Sequence, residues 1–471
     1  MSKKGQLLSN IVFLGVSSVV SKLTVFFMLP VYTAHLTPAA FGTVDVLVNT
    51  AVLLLPLVSF GAPEAIFRFI AGGEAEGEVL TVGRKMLRLG FLLLLLALPF
   101  LFLFDILRPF LLHLILYVFC SVLHGYFSHL LRARGQYGLY AVQQVFCTAM
   151  TVLLAYLLLA VYHLGVGGYL CAVFAGDGIT ALILVGYLRP HRQKATGRDP
   201  LLLRRMMRYA VPLIPTAALW WVLAVSDRYI LLYTHGQAVT GIYAAAGKLP
   251  ALLTFAAGLF LEAWHFAVIH ESEAGRQALF EKIYGALLPA LVIFVGVLIL
   301  LSDLLVRYLF AVDFREAARF VPFLAIAAMF SALSSFLGSV YVVRLRSGAS
   351  LLTAAVGACV NVLLDVWWIP LLGPWGAIGA TLLSYLLVFA WRAVHCKRVL
   401  PFTRHGRKLA LSTALLLLTA ILTVQGMPWG AYICAGLSVA PFWRQIGDSV
   451  RTLWHYGQKI LRISTKKRNL S

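Results

Sequence analysis

Ten charged side chains fall within stretches otherwise apolar enough to lie in lipid, and they set the chemistry open to this chain. Four are cationic: Lys22, Arg68, Arg228 and Lys248. Six are acidic: Asp45, Glu64, Asp177, Asp227, Glu262 and Asp365. An ionisable group inside a bilayer is costly and usually faces a bundle interior or a watery cavity. Each is therefore a candidate for ligand binding or for ion coupling. At 1.5 Å per residue, Lys22 lies roughly 21 Å from the inner end of its span, and Lys248 roughly 14 Å from the outer end of its own. Both are near mid-membrane and too deep to snorkel easily. Arg68 is expected near the inner surface and Arg228 near the outer. Structural readings stand beside the functional ones. Glu64 and Arg68 form an i,i+4 pair that serves equally as a salt bridge. Asp227 and Arg228 are adjacent and read as near the surface. The lysines could pair with acids such as Glu262 or Asp45, since Lys248 and Glu262 share a helix face to within about 40°. Asp177 and Asp365 have no cation near them in sequence, so each is either a protonated, hydrogen-bonded acid or part of a coupling-ion site.

Other chemistries are missing from the sequence. There is no GxxxxGK[ST] loop to drive a pump with nucleotide. There is no HExxH, no zinc-spaced Cys/His set and no DxD pair. No metal and no cofactor is expected, and the chain is not read as an enzyme. The six cysteines stand alone without CxxC pairing and read as small apolar residues. His265 and His270 have no third ligand in their neighbourhood and read as interfacial. The longest loop, about 189–208, is too short to hold a soluble domain, so the helices must carry the function.

Composition says where those helices lie. The chain has 471 residues, of which 61% are hydrophobic and 12% charged. A soluble domain is about half apolar and a quarter charged. A span needs about 20 mostly apolar residues. That criterion predicts an all-α integral membrane protein of about 14 transmembrane helices, at 8–33, 42–69, 86–104, 110–131, 139–162, 168–188, 209–233, 239–269, 284–301, 319–343, 350–371, 375–395, 409–425 and 428–443. The first apolar run continues past Lys22 without a cleavage site, so it reads as a retained helix and not a signal peptide. Net charge is +21. With the N-terminus inside, the inner segments carry 31 of the 39 Lys plus Arg, and the outer loops only Arg108, Arg307, Arg315 and Arg319. That is the positive-inside pattern, with both termini cytoplasmic. It assigns the basicity to an anionic membrane surface and not to nucleic acid.

The chain also looks duplicated. LTPAAFG at 36–42 matches HGQAVTG at 235–241 in position, and LGVGGYL at 164–170 matches LGPWGAIG at 372–379. The spacing is one six-helix unit. The expected organisation is a six-helix lobe at 1–195, a second at 196–400, related to the first by a pseudo-two-fold along the membrane normal, and two C-terminal helices with a basic tail at 401–471.

Three stretches carry a family resemblance. SKLTVFFMLPVYTAHLTPAAFGTVDVL at 21–47 resembles the opening of bacterial polysaccharide flippases of the Wzx type. SDRYILLYTHGQAVTGIYAAAGKLP at 226–250 resembles their helix 7–8 signature, and NVLLDVWWIPLLGPWGAIGATLLSYLL at 361–387 their helix 11–12 signature. The family belongs to the multidrug/oligosaccharidyl-lipid/polysaccharide exporter superfamily, with the lipid II flippases and the drug/cation antiporters. The resemblance implies two lobes around a central cavity that opens alternately to each side. It implies a cargo of oligosaccharide on polyprenyl diphosphate, and a polysaccharide polymerase and glycosyltransferases as partners. It assigns Lys22, Arg68, Arg228 and Lys248 to the cavity. Physics agrees, because a diphosphate is a strong anion whose desolvation cationic side chains compensate. The alternatives are a lipid II flippase, a drug/cation antiporter and a membrane glycan polymerase or ligase. The last would need a catalytic base and a large outer loop.

Overall fold

The computed structural model describes residues 15, 19–21, 23–24, 26–188, 200–269, 273–343, 347–400, 402–403 and 405–447. They form sixteen α-helices: α1 (Leu29–His35), α2 (Pro38–Ser59), α3 (Ala62–Ala71), α4 (Glu76–Leu101), α5 (Leu111–Ala133), α6 (Tyr137–Tyr156), α7 (Gly165–Leu188), α8 (Pro200–Ala210), α9 (Leu213–Lys248), α10 (Ala251–Ile269), α11 (Glu273–Leu309), α12 (Ala317–Val343), α13 (Ser347–Leu372), α14 (Pro374–Val399), α15 (Gly406–Val424) and α16 (Pro428–Val439). There is no strand among the described residues. Among the described residues, ten stretches are long and apolar enough to cross a membrane. Their outer surfaces carry the side chains that lipid requires: Leu96, Leu103, Leu182, Leu363, Trp367 and Leu371 are each at least 67% exposed. So much exposed apolar surface is incompatible with water. The protein is an all-α, multi-pass membrane protein.

Helix breaks follow local chemistry. The single span expected over 42–69 is two helices. Phe60 (φ 49°) and Gly61 (φ 63°) turn left-handed between them, ahead of Pro63 in the first turn of α3. Proline suits a first turn, where its missing N–H has no bond to lose. The expected span 239–269 is likewise interrupted, at Leu249–Pro250, before α10 begins. The expected break between residues 233 and 239 falls at Gly236 (φ 82°, ψ 179°) inside α9. There the chain doubles back. The Tyr243 hydroxyl donates to Asp227 Oδ2 at 2.5 Å, whereas 16 residues of continuous helix would hold them about 24 Å apart.

The chain packs as two compact units. The first comprises Met1–Ala245, Arg307–Glu316 and Ala358–Ala380; the second comprises Ala246–Val306, Ala317–Gly357 and Thr381–Ser471. These are packing units, and the lobe borders expected at 195 and 400 stay a proposal. In the first, α5 lies along α7, and α3 along α5. Basic α8 buries Leu202, Met206 and Ala210 and bonds Glu74 through Arg205 at 2.7 Å. In the second unit, α10 packs on α12, and α15 pairs with α16. Phe280 and Phe336 stack there at 4.9 Å.

The two sequence repeats share backbone features. Gly165 and Gly373, the second residues of LGVGG and LGPWG, both open helices at positive φ, 56° and 57°. Gly42 and Gly241, which close LTPAAFG and HGQAVTG, meet face to face. A Cβ on Gly241 would lie 1.8 Å from the Pro38 carbonyl oxygen, and one on Gly42 2.2 Å from that of Gln237. The obstacles are backbone and cannot swing aside. Gly241→Ala should therefore destabilise the protein by about 1–3 kcal/mol or more, read as a lower unfolding midpoint in detergent. Gly186→Ala, with nothing within 4 Å, should leave that midpoint unchanged.

Candidate functional site

The contact of α2 with both limbs of α9 carries a ladder of polar groups. Next to Gly42 and one turn deeper, Asp45 Oδ2 meets Arg228 Nε at 2.9 Å. Asn49 Nδ2 donates to the same oxygen at 3.0 Å. Trp221 Nε1 donates to the Asn49 carbonyl at 2.9 Å. Thr50 and Tyr229 share a 2.7 Å hydroxyl–hydroxyl bond. A guanidinium carries five donors in a fixed fork, and this one serves two acids. Arg228 Nη1 also lies 3.5 Å from Asp227 Oδ1, which accepts the Arg228 backbone N–H at 2.8 Å.

Asp45 and Asp227 are each 4% exposed. Asp227 and Arg228, expected near the outer membrane surface, are covered laterally by protein. Arg228 precedes the Gly236 turn by eight residues, about 12 Å along the helix, and the neighbouring α2 covers it. Asp45, which the sequence offered as a partner for a lysine, pairs with Arg228.

Asp365 joins this group from α13. Ser226 Oγ bridges Asn361 Oδ1 at 3.0 Å and Asp365 Oδ2 at 3.2 Å. Asp365 is fully buried, and its Oδ1 and Asn361 Nδ2 have no hydrogen-bond partner. Asp227 and Asp365 are close enough to interact electrostatically. Asp45 and Asp227 thus share one arginine, with Asp365 beside Asp227.

Asp177 stands in a second cluster in the same unit, with Ser121 and His124 of α5 and Cys147 of α6. Its missing partner was a histidine 53 residues away, which sequence spacing could not reveal. Cys147 is here a polar contact and not only the apolar residue expected.

The remaining candidates are Arg68, Glu64, Lys248, Glu262 and Lys22. Arg68 and Glu64 on α3 are both exposed, and no ion pair joins them among the described residues. Lys248 is half-buried in the last turn of α9 and belongs to the second unit. Glu262 lies on α10; its side chain is outside the described residues, as is Lys22.

One cation was misplaced by sequence. Arg392 was counted at the start of an inner loop, but it lies within α14 and is 1% exposed. Its Nε donates to Thr353 Oγ1 at 3.0 Å, and its Nη1 to the Ser334 carbonyl at 2.8 Å. Its helix runs on to Val399, past the end expected from hydropathy.

Acids and cations sequestered inside a helical membrane bundle ordinarily mark a substrate or ion pathway. The chain belongs to the polysaccharide biosynthesis protein family, whose model matches residues 7–264. This agrees with the resemblance carried by its motifs. No curated protein matches its sequence. Its fold matches that of a structure described as the lipid II flippase MurJ in an inward closed conformation, with a TM-score of 0.69 and 13% identity over 93% of this chain and 99% of that one. It also matches an inward-facing multidrug resistance MATE family transporter of the MOP superfamily, with a TM-score of 0.62 and 13% identity over 82% and 98% of the two chains. A MOP superfamily transporter from Pyrococcus furiosus, described as having a binding pocket of reverse polarity, matches with a TM-score of 0.54 and 13% identity over 82% and 95%. At these identities the likeness is one of fold.

Proposed function

We propose that this protein is a flippase that moves polyprenyl-diphosphate-linked oligosaccharide from the inner to the outer leaflet of the bacterial plasma membrane for surface polysaccharide synthesis. It is not an enzyme. The family match over residues 7–264 carries the reading, and the fold shared with a lipid II flippase supports a lipid-linked cargo. The sugar head needs a polar path, while the polyprenyl tail can stay in lipid. Lys22 and Lys248 meet the diphosphate at mid-membrane, and Arg68 meets it at the inner mouth. Arg228 is engaged by Asp45 and Asp227, so in this reading it holds the framework beside the path. Asp227, Asp365 and Asn361 form the coupling site, where a cation or proton binds the orphaned Asp365 oxygen. Both termini face the cytoplasm, a reading that rests on the 31 to 4 distribution of basic residues. A polymerase and glycosyltransferases act on the same cargo before and after translocation.

Deleting the gene tests the cargo. Cells should stay viable, lose one surface polysaccharide and hold its lipid-linked precursor at the inner leaflet, as read by extraction and mass spectrometry. Lethality with accumulation of lipid II would replace this reading with that of a peptidoglycan-precursor flippase, which the MurJ-like fold makes the second choice.

A further inference from the structure

Three side chains of different chemistry, from three helices of the first unit, converge on one point. His124 of α5, Cys147 of α6 and Asp177 of α7 bring one nitrogen, one sulfur and one carboxylate oxygen within 4.8 Å of one another. His124 Nδ1 lies 2.9 Å from Asp177 Oδ1, Cys147 Sγ 3.3 Å from the same oxygen and 3.9 Å from that nitrogen. We propose that this cluster is a binding site for one divalent cation of the zinc class, bound through His124 Nδ1, Cys147 Sγ and Asp177 Oδ1.

The spacing fits such an ion. Tetrahedral bonds of roughly 2.0–2.3 Å put ligand atoms roughly 3.3–3.6 Å apart. The three observed separations bracket that range, so side-chain shifts of a few tenths of an ångström complete the geometry.

The outer contacts fit as well. His124 Nε2 faces Gln143 Oε1 at 2.7 Å. Donation to that oxygen puts the ring hydrogen on Nε2 and turns the Nδ1 lone pair toward Asp177 and Cys147. The Ser121 hydroxyl donates to the other Asp177 oxygen. A ligating histidine anchored through its far nitrogen, and a ligating carboxylate anchored through its second oxygen, are the usual supports of a metal centre.

Charge balance points the same way. His124 lies 13 residues into α5 and Cys147 ten into α6, about 20 and 15 Å along helices that cross the membrane. A thiolate and a carboxylate at that depth carry two negative charges, and a divalent cation cancels both. The three protein ligands leave the fourth tetrahedral position to a water. The ion would tie α5, α6 and α7 together. Nothing in the flippase reading requires it, and that reading does not depend on it.

The test uses the full-length protein, purified in detergent, stripped with chelator and titrated with Zn2+ and Co2+. One tight equivalent of Zn2+ should bind and raise the unfolding midpoint. Co2+ should give the intense visible bands of tetrahedral coordination together with a thiolate charge-transfer band. His124→Ala and Cys147→Ala should abolish the tight equivalent, Gln143→Leu should weaken it tenfold to a hundredfold, and Cys120→Ser and Cys171→Ser should leave it intact. No tight equivalent in the wild type would overturn the proposal and leave a proton-sharing His–Asp pair. A cobalt spectrum without thiolate character would overturn it too, as would wild-type affinity in Cys147→Ala. If the alanine variants fail to fold, the readout is Zn2+ protection of Cys147 in a chain whose other cysteines are serine. Protection supports the site, and labelling at the same rate with and without Zn2+ overturns it.

Discussion

Arg228→Ala should remove about 3–5 kcal/mol of stability, the cost of leaving buried carboxylates without their cation. Asp45 and Asp227 are each 4% exposed, and the same guanidinium serves both, at 2.9 and 3.5 Å. Without it, both acids lose a charge-compensating contact inside the bundle. The loss should appear as a large drop in detergent unfolding midpoint and in membrane abundance. Arg228→Lys should recover only part, because one ammonium cannot span two acids as a fork does. The decisive variant is the double one. Asp45→Asn with Arg228→Ala should be more stable than Arg228→Ala alone, since it removes the stranded charge. If the single variant folds at the wild-type midpoint yet transport fails, Arg228 is a cargo contact and the framework reading is wrong.

That cluster shows which parts of the molecule could be read from sequence. Apolar length was enough for an all-helical membrane bundle, because it is a local property. The Gly236 turn was also legible, being a polar, glycine-containing gap between two apolar runs. Hydropathy ran straight through the breaks at Phe60–Gly61 and Leu249–Pro250, and only prolines, Pro63 and Pro250 among them, marked those spans as ones that bend. Partnerships were harder still. Asp45, Asp227, Asp365 and Arg228 were all singled out, yet nothing in spacing said that α2 would lie against α9 or that Asp365 would reach Ser226 through 139 residues of chain. His124 and Gln143 were missed because scattered polar residues on apolar helices form no motif in sequence, and only the fold brings them to Asp177 and to each other. Arg392 was missed because an arginine near the end of a hydrophobic run ordinarily marks the membrane surface; here a threonine side chain and backbone carbonyls provide its bonds inside the bundle.

Lys248→Ala should reduce translocation about 10- to 100-fold while leaving protein abundance unchanged, the loss expected from removing one charge-assisted contact of about 1.5–3 kcal/mol. Lys248 is the last residue of α9, directly before the Leu249–Pro250 break, and its side chain is half-buried. An ammonium at mid-membrane is costly and ordinarily faces a bundle interior or a watery cavity, and a diphosphate headgroup passing through such a cavity would pair with it. Lys22 sits at a similar expected depth on the first span, outside the described residues, and should behave alike. Lys22→Arg should keep more activity than Lys22→Ala, because charge matters here more than shape, and Lys22→Glu should be the weakest because it repels the cargo. The readout is reconstituted flipping of the lipid-linked precursor, normalised to the protein inserted. A lysine that only neutralises an acid predicts the opposite pattern. Lys248→Ala would then be lost from the membrane, and adding Glu262→Gln would restore it. Full translocation at normal abundance in both Lys22→Ala and Lys248→Ala would remove these lysines from the transport path altogether.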